Sequence, residues 1–229
     1  GPNMLGLQAA LAGADANNPA TRPDEVVVFG AASQAFSRRD INCSIEESIE
    51  RFRPVVAAAH EHGIKVRAAV SCALGCPYQG EVSADEVEHV VKLMKAIGVD
   101  HCGIADTIGT TTPGRVTSLV GQIRPRIGDQ PLGAHFHNTR GAGLASAYAA
   151  VVAGVTRLDA SVGGLGGCPF APGASGNIAT EDLVYLLRDS GIGVDVDLPA
   201  AIDAARVAQA VVGHDLPSAL LRAGDRIRD

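Results

Sequence analysis

"KVRAAVSCALGCPYQGEVSADEVEHVVKLMKAIGVDHCGIAD", residues 65–106, changes its hydrophobic rhythm twice. Residues 65–72 are a short run rich in Val and Ala, which predicts a buried strand. Residues 83–98 have a helical pattern that opens on a Ser-x-x-Glu capping box, Ser83 with Glu86, and closes on Gly98. Residues 101–106 return to a short apolar run, a second strand. Strand, crossover helix, strand is the repeating unit of a parallel sheet.

The same rhythm extends in both directions. "EVVVFG" (25–30), "LGAHFH" (132–137) and "TRLDASV" (156–162) read as further strands. Residues 44–63 predict a helix with its own capping box, Ser44 with Glu47, ending at Gly63. Residues 112–128 predict a helix with Thr112 as cap and Pro113 at the first position. Residues 141–154 form a small-residue helix, and 196–213 an amphipathic one. The strict alternation predicts an α/β fold with helices outside a parallel sheet. Five strands are too few to close an eight-stranded barrel. The first residues, "GPNMLGLQAALAG", read as a strand end running into a helix, so the chain reads as starting inside a fold.

Composition narrows the function classes. The chain has 229 residues, 46% hydrophobic, with 3% aromatics and no Trp. That suffices for one substantial core, built from Ala, Val, Leu and Ile. A net charge of −6 without a basic patch argues against nucleic acid as a partner. Arg38 and Arg39 read as a solvated helix or loop edge. No apolar run reaches the roughly 20 residues of a membrane helix, and no signal peptide opens the chain. Five cysteines in no zinc or disulfide spacing suggest a reducing, cytoplasmic setting.

Chemistry concentrates at the strand ends. "GAHFHNTRG" (133–141) sets His135 and His137 on one face of a strand, about 7 Å apart along the chain. Two imidazoles there could share a metal ion, or be ordinary polar residues where a strand meets water. The neighbouring strand ends, "FGAAS", "SCALGCPYQGE", "ADTIG" and "SVGGLGGCPFAPGASGN", are rich in Gly, Ser, Cys, Asp and His, while the opposite connections are plain. That asymmetry favours the metal reading, since chemistry in such sheets gathers where strands end.

Four segments carry a family resemblance: "FGAASQAFSRRDINCSIEES", "VSCALGCPYQG", "ADTIGTTTPG" and above all "GLGGCPFAPGASGNIATEDLVYLL" (164–187). From about Pro2 to about Leu187 the chain resembles the 3-hydroxy-3-methylglutaryl-CoA lyases. These belong to the metal-dependent TIM-barrel lyase superfamily, with the isopropylmalate and homocitrate synthases. The resemblance implies a TIM (β/α)8 barrel whose N-terminal strands are missing here. It would be a single partial domain over 1–229, with helices 196–229 packed on it. It implies His135, His137 and Asn177 as metal ligands and Cys168 as the thiol on a mobile glycine-rich loop. It also implies Asp106 in the acyl site, Asn3 near coenzyme A, a divalent cation (Mg²⁺ or Mn²⁺), an acyl-CoA substrate and a homodimer.

Two departures stand out. The family's Arg-Asp pair, an enolate-stabilising Arg and a fourth metal ligand, is absent. "HNTRG" replaces the usual His-Asp-Thr-Tyr-Gly, so Asn138 removes a charge beside the ligands and Arg140 adds one. The expected reaction is cleavage of a tertiary 3-hydroxyacyl thioester to acetyl-CoA and a 3-oxoacid. Cys168 would protonate the acetyl carbon. A related condensing synthase, and an inactive scaffold lacking the Arg-Asp pair, are the alternatives. His60 and His62, splayed about 200° apart on a helix, read as surface residues, and His89, His101 and His214 as structural. Cys43, Cys72, Cys76 and Cys102 read as small buried thiols. Glu181 and Asp182 suit the N-terminus of the next helix.

Overall fold

The structure is a computed structural model and describes residues 3–15, 18, 21–167 and 176–226. Five strands, β1 (Glu25–Ala31), β2 (Lys65–Ser71), β3 (His101–Asp106), β4 (Leu132–Phe136) and β5 (Arg157–Asp159), pair in parallel. They form one sheet in chain order. Helices α1 (Met4–Ala12), α2 (Gln34–Ile41), α3 (Ile45–Glu61), α4 (Ala84–Ala96) and α5 (Pro113–Ile123) are followed by α6 (Gly143–Val152) and α7 (Thr180–Asp189). Then come α8 (Leu198–Val212) and α9 (Ala219–Ala223). Sequential parallel strands joined by covering helices are the order of a TIM-barrel fold.

Alternation along each strand sorts the side chains into two layers. Val28, Val66, Ala68, Val70, Ile104, Leu132, Ala134 and Phe136 face the helices and are fully buried. They meet Ile49, Phe52 and Val56 of α3, Val87, Val90 and Met94 of α4, and Val116 and Val120 of α5. These helical residues recur three or four apart, the spacing of one helix face. The other strand face is partly open and mixed, carrying Arg67, Ser71, His135 and Asp159 among apolar residues such as Val27 and Ala69. Phe29 lies on that inner face and is 48% exposed.

Both expected capping boxes form. Ser44 and Glu47 close the start of α3, and Ser83 and Glu86 that of α4. Residues 34–41 form a helix that the sequence pattern did not announce, capped by Ser33. Arg38 and Arg39 lie in its last turn, with the Arg39 guanidinium 4.6 Å from the Tyr78 ring centroid. The last strand is shorter than expected, three residues in place of 156–162. Beyond it Ser161 pairs with Ala179, and the chain turns through Gly163 and Gly164, both in the left-handed region.

Candidate metal centre

β4 delivers His135 to the inner face, and the chain then leaves the sheet at His137. The register pairs Ala105 with His135 and His135 with Asp159 across β3, β4 and β5. The imidazoles of His135 and His137 lie edge to face, 5.1 Å between centroids. The segment 176–178 returns alongside, with His137 bridged to Asn177 and the Ile178 N–H donating to the Phe136 carbonyl at 3.2 Å. The structure therefore brings together His135, His137 and Asn177. His135 and His137 line a cavity of about 350 Å³ together with Arg67, Thr107 and Asp159. A larger groove of about 670 Å³, outside β5 and against α7, is lined by no titratable side chain. It offers no chemistry.

Among the described residues, three buried polar atoms around the smaller cavity lack hydrogen-bond partners, Arg67 Nε and one atom on each of two candidate ligands. The Asn177 Nδ2 donates to the Leu165 carbonyl at 2.8 Å, which turns Oδ1 the other way, buried and without a hydrogen bond. The His137 Nδ1 is likewise buried and unpaired. Buried polar atoms without partners are costly and rare, and a bound cation would satisfy both. Burial, and then the nearby His135, push the His137 pKa below the usual imidazole range; the Thr107 backbone and the Asn177 side chain lie near enough to oppose the shift, though neither makes a well-formed hydrogen bond to Nδ1. The ring stays neutral, as a ligand must. Among the described residues no three His, Cys, Asp or Glu side chains converge as a metal site. The donor set is two imidazoles and one carboxamide, which fits a divalent cation that keeps open positions.

Asp106 ends β3. It pairs in register with Phe136, on the opposite face from the histidines. Its carboxylate is fully buried and accepts the backbone N–H groups of Thr110 and Thr111, both at 3.0 Å. Burial raises its pKa, with those N–H groups opposing. It staples the loop after β3, while Ala105 and Thr107 occupy the inner face. Asn3 caps α1, its Oδ1 accepting the Gly6 N–H at 2.9 Å. Cys168 lies outside the described residues. Just before it, the Gly163 N–H is held by both carboxylate oxygens of the fully buried Glu181 at 3.1 Å.

The two departures in "HNTRG" both brace loops. Asn138 Oδ1 accepts the Gly143 N–H at the start of α6 (3.1 Å). Arg140 donates to the carbonyls of Ile108 and Gly109 (3.0 and 3.2 Å), tying the β3 and β4 loops together. Sequence reasoning missed Arg67 and Asp159. Burial works against the Asp159 charge but is outweighed by His135 and Arg67, which hold its carboxyl below the usual range. Its signal was an acid near a strand end, without the register that sets it beside His135.

The HMGL-like family model matches residues 2–208. The chain belongs to the HMGL-like family. It is 43% identical over 212 residues to the 3-hydroxy-3-isohexenylglutaryl-CoA/hydroxy-methylglutaryl-CoA lyase of Pseudomonas aeruginosa, covering 93% of this chain and 68% of that protein. It is 48% identical to the cytoplasmic 3-hydroxy-3-methylglutaryl-CoA lyase of Danio rerio, covering 89% of this chain but 58% of that one. Among solved structures, the Pseudomonas aeruginosa hydroxymethylglutaryl-CoA lyase superposes with a TM-score of 0.89 at 42% identity, covering 97% of this chain and 71% of that one. An HMG-CoA lyase from Acinetobacter baumannii, in complex with coenzyme A and 3-methylmalate, gives 0.87 at 37% identity, covering 100% and 72%. The chain thus spans roughly three-fifths to two-thirds of these two curated HMGL-like relatives.

Proposed function

We propose that this chain carries the active site of a metal-dependent carbon–carbon lyase. Its substrate would be 3-hydroxy-3-methylglutaryl-CoA or a close 3-hydroxyacyl-CoA analogue, split to acetyl-CoA and acetoacetate or the matching 3-oxoacid. One observation carries the reading: two imidazoles and a carboxamide come together, with one ring nitrogen and the carboxamide oxygen buried and unpaired. They do so in a chain matched to the HMGL-like family over 2–208.

His135, His137 and Asn177 would hold Mg²⁺ or Mn²⁺, which supplies Lewis-acid polarisation of the substrate's hydroxyl and carboxylate oxygens. Leu165 keeps the Asn177 oxygen turned inward, and Asp106 and Arg140 fix the flanking loops. The substrate hydroxyl gives up its proton to a base and becomes the carbonyl of the 3-oxoacid. The electron pair of the broken carbon–carbon bond stays on the acetyl fragment as an enolate. The Cys168 thiol gives that carbon its proton, and the glycines of 163–167 let the loop approach. An acyl-CoA partner, a homodimer, a single domain over 1–229 and a cytoplasmic setting, as in the zebrafish relative, complete the reading.

Stripping the intact protein with EDTA and restoring Mg²⁺ or Mn²⁺ tests it. Cleavage should vanish and return, and undiminished cleavage without metal would refute the mechanism. Cys168→Ser should suppress turnover at least a hundredfold, on the order expected for loss of a proton donor, while Mn²⁺ binding persists.

A further inference from the structure

Asp159 divides its two carboxylate oxygens between two partners. Oδ1 accepts a hydrogen bond from the Arg67 guanidinium, and Oδ2 lies 3.7 Å from the His135 Nδ1. That second distance is about half an ångström beyond the hydrogen-bond range, within reach of a small ring rotation. Asp159 sits directly beside His135 in the parallel register, on the same face. Arg67 reaches it diagonally from β2, and the inner-face positions between them, Gly103 and Gly133, carry no side chain. Arg67 also pairs by charge with Glu25, its Nε 3.3 Å from Oε1 without a hydrogen bond between them.

We propose that Asp159, held by Arg67, is the positioning residue that fixes the tautomer of His135. The inference rests on the metal reading of the site. A neutral imidazole carries one N–H and one lone pair. A carboxylate facing Nδ1 draws the proton there and leaves the lone pair on Nε2 for the cation. The plainer alternative is that Arg67–Asp159 is an ion pair serving stability alone.

Asp159→Asn separates the two. Arg67 has only donors, so it takes the carbonyl oxygen of the substituted side chain and turns the amide NH₂ toward His135. An NH₂ facing Nδ1 demands a lone pair there, which sends the ring proton to Nε2 and blocks the ligand atom. ¹⁵N-imidazole NMR of the intact, metal-free protein at mildly alkaline pH reads the tautomer, with His135→Asn assigning the signal. Wild type should carry the proton on Nδ1 and Asp159→Asn on Nε2. Mn²⁺ titration followed by electron paramagnetic resonance should show affinity falling about 10- to 100-fold in the variant. Wild-type His135 protonated on Nε2 overturns the proposal without needing any variant to fold. A folded Asp159→Asn protein with unchanged tautomer and unchanged Mn²⁺ affinity overturns it too. A wild type with the proton on Nδ1 that takes up no Mn²⁺ supports the positioning and instead overturns the metal reading beneath it.

Discussion

At Gly176 a single methyl group would decide the fate of the candidate site. A Cβ there would run into the backbone carbonyl oxygens of Gly164 and Gly166, the latter at 2.5 Å. Neither oxygen is the end of a flexible side chain, so the loop itself would have to move. Asn177 is the next residue, and the Gly176 carbonyl also accepts the Asn138 N–H. Gly176→Ala should therefore displace the carboxamide and weaken Mn²⁺ binding on the order of tenfold or more, with the helical circular dichroism kept. Unchanged Mn²⁺ titration would contradict it. The histidine pair was legible because alternation along one strand is a local rule. Asn177 lies forty residues from His137 by number, and only the family resemblance named it. The amide's orientation and the two unpaired atoms needed coordinates.

At the scale of elements, local chemistry was readable wherever a helix end announced itself. Ser83 accepts the Glu86 N–H, and Glu86 returns to the Ser83 N–H at 2.7 Å. Ser83→Ala removes one side of this exchange and should lower stability by about 1 kcal/mol, measured by urea unfolding. It leaves the site geometry alone. The short helix α2 escaped notice because it runs only eight residues and is polar on average. Its buried residues are Phe36 and Ser37, and tertiary contact rather than propensity supports it. β5 was over-read for the opposite reason. Its sequence suits a strand, but only three residues find a partner, and Ser161 then pairs with Ala179.

Across the whole molecule, charge runs along the inner face from the strand starts to the histidines. Glu25 meets Arg157 at 3.1 Å, and Arg157 lies 3.2 Å from the Nδ1 of His101, which is 2% exposed. Burial, and then Arg157, depress the His101 pKa below its ordinary 6.5. Arg67 acts in the same direction, while Glu25 and Asp159 oppose it. The folded state therefore refuses a proton that the unfolded chain accepts. The resulting stability is present above pH 6.5 and is lost as pH falls through the depressed value. Unfolding free energy should decline as pH drops below 6.5, and His101→Gln should flatten that decline. Equal slopes in denaturation series from neutral to mildly acidic pH would rule it out.

By itself the sequence determined the alternation of strands and helices, the capping boxes of α3 and α4, the helix-facing apolar stripes and the shared face of His135 and His137. Each follows from rules spanning a few residues. Two aspartates near strand ends, Asp106 and Asp159, look equally eligible for the site on such rules. Only the tertiary structure separated them, because register pairs Asp106 with Phe136 and Asp159 with His135. A strand's side chains alternate, so a slip of one residue exchanges the two faces. That parity is set between strands, by how the sheet packs against its helices, and no single strand contains it.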